Sequence, residues 1–226
     1  MFDEISFRYD FLNHFLSFGI DHIWRRRVIK EIRKRFDQQL SSLQILDMAT
    51  GTGDLAIAVA KLHPKHIDGV DISQPMMEVG RRKVNSRELS SMISFREGEA
   101  ERIPFDDATY DVVMVAFGVR NFEDLNGGLQ EMKRVLKPGG LMLVLEFSHP
   151  DTFPMKPLYS FYSKVIIPLF GKLISRHHQA YTYLPETVAA FPSGGAFLSI
   201  LQEVGLQKLR QIRFSGGIAT LYCAEK

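Results

Sequence analysis

Residues 45–60 read ILDMATGTGDLAIAVA. An apolar run carrying Asp47 near its end gives way to Gly51-Thr52-Gly53, and an Asp-led apolar stretch follows. That order predicts a buried strand, a tight turn and the first turns of a helix. The glycines let the backbone approach a ligand closely. Gly51, Gly53 and Ala56 also satisfy G-x-G-x-x-G/A, the loose dinucleotide fingerprint. The fingerprint does not separate a hydride carrier from a methyl donor, so the surrounding chain must.

Upstream, residues 3–16 and 20–37 read as two helices split by Ser17-Phe18-Gly19, and a strand at 43–48 leads into a helix at 54–62. Downstream, a strand at 66–71 ends in Asp71, and Ser73 and Pro75 mark the start of a helix at 74–86. A short strand at 92–97 and the near-continuous apolar run YDVVMVAF at 110–117 come next. A helix at 123–136 is expected to stop at Pro138-Gly139-Gly140, with a fifth strand at 141–147. Such alternation predicts a parallel sheet with right-handed crossovers, an α/β architecture.

The end of the chain breaks this rhythm. Residues 155–175 are rich in aromatics, and 194–204 read as a helix. KLRQIRF and IATLYCA then flank Ser215-Gly216-Gly217, a β-hairpin signal. No repeat or linker divides the chain, so one domain is expected over 1–226. Within it, 1–40 would hold N-terminal helices, 41–150 the nucleotide-binding core, 151–193 a lid and 194–226 the last helix and hairpin.

Composition narrows the function. The chain has 226 residues, is 45% hydrophobic and carries a formal charge of +2, so no global field favours nucleic acid. One cysteine, Cys223, excludes an internal disulfide and a multi-cysteine metal site. No run is apolar enough to span a bilayer, and no signal peptide is expected. The positive charge is uneven: RRRVIKEIRKR at 25–35 holds seven Lys/Arg and one Glu. Trp24, Val28, Ile32 and Phe36 recur every four residues beside it, as in a basic amphipathic helix. Such a face is either solvated or laid on an anionic membrane surface.

The charge of the glycine loop bears on its ligand. Asp47 and Asp54 flank the turn. A pyrophosphate would be repelled there, whereas an ammonium and a sulfonium would be welcome. S-adenosyl-L-methionine carries both. Asp71, eighteen residues after Gly53, is placed to accept both ribose hydroxyls of either cofactor. Ile72 follows it. Glu99 and Ala100, after the third strand, could meet an adenine amino group, and Met76 and Met77 either pack on its face or fill the core.

DMATGTGD, GVDIS, GEAERIPF and RVLKPGGLMLVLEFS, in that order, resemble a class I S-adenosylmethionine-dependent methyltransferase. YDFLNHFLSFGIDHIWRR (9–26), AFGVRNFED (116–124) and LKPGGLMLVLEFS (136–148) narrow the resemblance to the UbiE/MenG family of quinone-biosynthesis C-methyltransferases. It implies a Rossmann-like fold, a seven-stranded and mostly parallel sheet closed by an antiparallel hairpin. It also implies that donor-binding positions fall on Thr52, Asp71, Glu99, Ala100 and Ala116. Glu99 stands where Asp or Asn is common, and Ala116 where some members have Ser. The family methylates demethylmenaquinone or a polyprenylated benzoquinol precursor of ubiquinone. The spellings YDFLNHFLSFGIDHIWRR and FSGGIATLY favour demethylmenaquinol.

The acceptor can also be approached by chemistry. Residues 116–121 lack the Asn/Asp-Pro-Pro-aromatic motif with which amine methyltransferases grip an amino group. Cys223 in a hairpin strand reads as structural, against a covalent thiolate route. A carbon that is already nucleophilic remains, as in a hydroquinone after loss of a phenolic proton. Arg120 is then the candidate to favour the phenolate, unless it pairs with Glu123 or Asp124, and Asn121 to orient the ring. His149, with Tyr159, Tyr162 and Tyr181 as relays, is the candidate base. His177-His178 is not a metal pair, and no metal is expected. Residues 155–175 are the candidate lid for a prenyl tail, giving a cytoplasmic enzyme in peripheral contact with the membrane. A homodimer is allowed and nucleic acid is not an expected partner. Competing readings are methylation of another small phenol or a sterol-type acceptor, and a non-catalytic donor-binding protein; the intact glycine loop speaks against the last.

Overall fold

The computed structural model describes residues 19–150, 153–154, 156–157 and 187–226. The apolar runs become β1 (Gln44–Met48), β2 (His66–Asp71), β3 (Ile93–Glu97), β4 (Tyr110–Ala116) and β5 (Leu136–Phe147), joined in parallel. The terminal hairpin supplies β6 (Gln207–Phe214) and β7 (Ala219–Glu225). β7 runs antiparallel to both β5 and β6, and the order across the sheet is β3-β2-β1-β4-β5-β7-β6. This is the expected seven-stranded, mostly parallel Rossmann-like sheet. Its strand order reverses between β1 and β4, the crevice where open α/β sheets bind ligands.

Both faces of the sheet are covered at its centre, which is why β1, β4, β5 and β7 are apolar almost throughout, whereas the edge strand β6 is largely exposed. Ile45, Ile67, Val112, Met114 and Leu143 face one core with Trp24, Val28, Ile32, Leu55 and Val84. These last come from α1 (Asp21–Phe36), α2 (Asp54–Val59) and α3 (Gln74–Asn85). Leu46, Val70, Val113, Val115 and Val144 face the other, with Leu129, Met132, Phe197 and Leu201 of α4 (Leu125–Val135) and α5 (Gly195–Glu203).

Element boundaries fall within a residue or two of those expected, with two exceptions. α2 closes as a 3-10 turn at Ala60–Leu62. At 136–140 the expectation is corrected: Lys137-Pro138-Gly139-Gly140 does not separate helix from strand but forms an irregularity within β5. Leu136 already pairs with Tyr110, and Leu141 resumes against Val112. The reason is a partner far along the chain. Gly139 N–H donates to the Lys226 carbonyl at 2.8 Å, and Lys226 N–H to the Gly140 carbonyl at 3.2 Å. The segment at 155–175, the helix at 3–16, His177-His178 and the three candidate tyrosines lie outside the described residues, apart from Lys156 and Pro157.

α1 settles part of the basic stretch. Trp24, Val28 and Ile32 are buried. Trp24 packs against Phe117, Phe147 and Phe214, with ring centroids 6.1, 6.2 and 6.3 Å away, and its indole N–H donates to Ser215 Oγ at 3.3 Å. Arg27 and Arg210 both pair with the buried Glu31, while Arg26, Lys30, Arg33 and Lys34 are exposed. Cys223 is buried, and burial pushes its thiol up to about 11, as a structural cysteine requires. No helix among the described residues is long and apolar enough to cross a membrane.

Candidate active site

A cavity of about 520 Å³ opens at the C-terminal edge of β1, β2 and β4. The chain shapes it with two tight turns. Gly51 and Gly53 follow β1 with φ of 57° and 77°, the left-handed region that favours glycine. A Cβ on Gly53 would fall 2.7 Å from Phe95 Cζ. After β4, Phe117 holds φ of 58°, a strained value for an aromatic residue. Gly118 then brings this turn against the first one: a Cβ there would sit 2.5 Å from Ala49 Cβ.

Two carboxylates knit the floor. Asp47 is 1% exposed; its Oδ2 accepts from Thr50 Oγ1 at 2.7 Å and from Ala56 N–H at 3.1 Å. Burial pushes its carboxyl up to about 7, against the pull of those two hydrogen bonds and of Arg25. Asp71 accepts from Gly51 N–H at 2.7 Å and from Ser73 N–H at 2.9 Å, so the end of β2 is tied to the glycine loop. Lys83 of α3 reaches the same loop, donating to Thr52 Oγ1 at 2.5 Å and Asp54 Oδ1 at 2.9 Å.

Of the residues singled out from sequence, Asp47, Gly51, Thr52, Asp71, Ile72, Met76, Glu99, Ala100, Ala116 and Asn121 all line the cavity. Ile72 is 56% exposed at its rim. Gly53 is buried behind the loop, and Met77 belongs to the core. His149 is exposed and is not among the lining residues.

Arg120 is placed differently from either expectation. Its side chain is fully buried, and its ion pair at 2.7 Å is with Glu146 of β5, not with Glu123 or Asp124. Its guanidinium also donates to the Phe117 carbonyl and lies 5.6 Å from the Phe147 ring centre. Glu146 accepts in addition from the N–H groups of Phe147 and Arg120, at 2.8 and 3.4 Å. Burial pushes the Glu146 carboxyl up; the Arg120 cation opposes this. The pair thus staples the turn at 117–121 to β5 from behind the cavity wall. A lone Glu in the apolar run LMLVLEF was the available signal, since a buried carboxylate demands a partner. Arg25 of α1 also lines the cavity, although in the sequence it is one of the seven cations of the 25–35 stretch.

The pocket fits an adenosyl donor on its own residues. It offers Asp71 at the switch point, apolar Ile72 and Met76, and a surplus of carboxylates for a cationic ligand. Together the sheet and the site define a class I S-adenosyl-L-methionine-dependent methyltransferase. A solved S-adenosylmethionine-dependent methyltransferase from Aquifex aeolicus shares the fold, with a TM-score of 0.61 at 21% identity over 87% of this chain and 88% of that one. The model of the ubiE/COQ5 methyltransferase family matches residues 1–226, and the chain belongs to that family. It is 49% identical to the demethylmenaquinone methyltransferase of Bacteroides fragilis, over all of this chain and 91% of that protein. It is 46% identical to the ubiquinone/menaquinone biosynthesis C-methyltransferase UbiE of Geotalea uraniireducens, over all of this chain and 94% of that protein.

Proposed function

We propose that the enzyme methylates a ring carbon of a polyprenylated hydroquinone, demethylmenaquinol. The observation that carries this reading is the wall after β4. Phe117, Gly118, Asn121 and Phe122 line the cavity there, where the chain lacks the Asn/Asp-Pro-Pro-aromatic motif that grips an amine. The names of the relatives at 49% and 46% identity support the same class of acceptor. The donor supplies a methyl group on a sulfonium. The chain orients the acceptor ring, and Asn121 is the polar group on that wall suited to a quinol oxygen. Arg120 serves as a positioning residue, holding the 117–121 turn through Glu146. Asp71 takes the ribose hydroxyls, Glu99 and Ala100 the adenine edge, and Asp47 the ammonium.

The reading extends to a cytoplasmic enzyme that works in peripheral contact with a membrane. Arg26, Lys30 and Arg33 are exposed on successive turns of α1, and Ile20 and Ile23 are exposed at its start. Residues 151–193 would form the lid over the prenyl tail. Methyl-labelled donor, incubated with chemically reduced demethylmenaquinone bearing a short prenyl tail, should place label on the ring carbon. The oxidised quinone should take none. Donor binding without transfer to the reduced quinone would refute the acceptor. Protein that ignores anionic vesicles at low salt would refute the membrane contact.

A further inference from the structure

The cavity is rich in carboxylates: Asp47, Asp54, Asp71, Glu99, Glu101 and Asp124 all line it. Among its described lining residues Arg25 is the only Lys or Arg. Its side chain is 13% exposed. Both of its ion pairs, to Asp21 Oδ2 at 2.9 Å and Asp54 Oδ2 at 3.5 Å, use Nη1. Its Nε is buried without a hydrogen-bond partner, and Nη2 makes no hydrogen bond to a described residue. Asp54 is also paired with Lys83 at 2.9 Å, so its charge is shared between two cations.

The amino-acid arm of S-adenosyl-L-methionine ends in an ammonium and a carboxylate. The ammonium has several acidic partners here. The carboxylate would be repelled by each of them at close range, and only one lining side chain carries the opposite charge. A guanidinium is also the group whose fork matches a carboxylate. We propose that Arg25 binds the carboxylate of the donor's amino-acid arm, so that α1 is part of the donor site as well as a surface helix.

The test compares two ligands that differ only in that carboxylate: S-adenosylhomocysteine and its decarboxylated analogue, which keeps the amine. Calorimetric titration of the full chain should show the wild type preferring S-adenosylhomocysteine. In Arg25→Met that ligand should bind about 10- to 100-fold more weakly, the usual loss for a hydrogen-bonded charge pair. The decarboxylated analogue should bind as before. Arg25→Met removes one ion-pair partner of the buried Asp21, so Arg25→Met with Asp21→Asn and the charge-keeping Arg25→Lys accompany it. Arg25→Lys should retain part of the preference. Equal weakening of both ligands would mean that Arg25 merely props the loop through Asp54, and would overturn the assignment. So would a wild type that binds the two equally. Failure of the wild type to bind either would count instead against the donor site as a whole.

Discussion

Replacing Asp47 by asparagine should make the ligand-free enzyme more stable and its donor binding worse. The carboxyl is 1% exposed and is pushed from 3.8 up to about 7. The folded protein therefore holds a proton there between about pH 4 and 7 that the unfolded chain has released. Stability from this group is fully present below pH 4 and is lost as pH rises through 7. That displacement corresponds to about 4 kcal/mol at pH 8. An amide oxygen can still accept from Thr50 and Ala56, but its NH₂ must find a new partner at a cost of about 2 kcal/mol. The net gain at pH 8 is about 2 kcal/mol, a rise in Tm of about 4–8 °C for a chain of this length. The gain should shrink as pH falls below 7, and at pH 4 the variant should be the less stable of the two by about 2 kcal/mol, the amide cost alone.

The donor should respond in the opposite sense. Its ammonium needs the carboxylate, so the wild-type Kd for S-adenosylhomocysteine should rise about tenfold per unit as pH falls below 7. Asp47→Asn should bind it about 10- to 100-fold more weakly at pH 8, with little change on acidification. Thermal melts and titrations at pH 5.5, 7 and 8.5 check both halves. A variant that melts lower than wild type at pH 8, or a wild-type Kd that does not move between pH 8.5 and 5.5, would refute the reasoning.

Other expectations can be checked with the same preparations. Glu146→Gln leaves the Arg120 guanidinium buried opposite an uncharged group and should lower stability by about 3–5 kcal/mol in denaturant titration at pH 8. Adding Arg120→Met should restore part of it; no restoration would mean that the pair is not the cause. Gly53→Ala forces a side chain into a left-handed turn against the Phe95 ring and should cost at least about 1–2 kcal/mol, read as a lower denaturation midpoint. Asp71→Asn keeps the shape of the floor but removes the charge from Gly51 and Ser73, and should weaken donor binding about 10- to 100-fold by calorimetry.

The core of the fold was legible because its signals are local. Apolar strands such as YDVVMVAF, the glycine turn and Asp71 each carry their own geometry, and the donor side of the cavity follows from where parallel strands end. What sequence reading missed depends on residues far apart. The irregularity in β5 forms because Gly139 and Gly140 meet Lys226. Arg120 finds Glu146 twenty-six residues away rather than the acids three and four residues on, because it sits in the turn after β4 and Glu146 near the end of β5, the strand paired in parallel with β4. Arg25 sits among cations that face solvent. Only its contact with Asp54 of α2 singles it out, and a helical wheel does not contain a neighbouring helix.

Trp24 is the chain's single tryptophan, one residue before Arg25. It is buried against Phe117 on the cavity wall and stacked on Phe214 of the terminal hairpin. Its indole fluorescence therefore comes from one place, between the strained turn after β4 and the helix that reaches the donor cavity. Emission wavelength and quenching will follow that junction without any label. A shift on adding nucleoside would track ligand entry in real time. The same band, watched during unfolding, would time the moment at which the hairpin parts from α1.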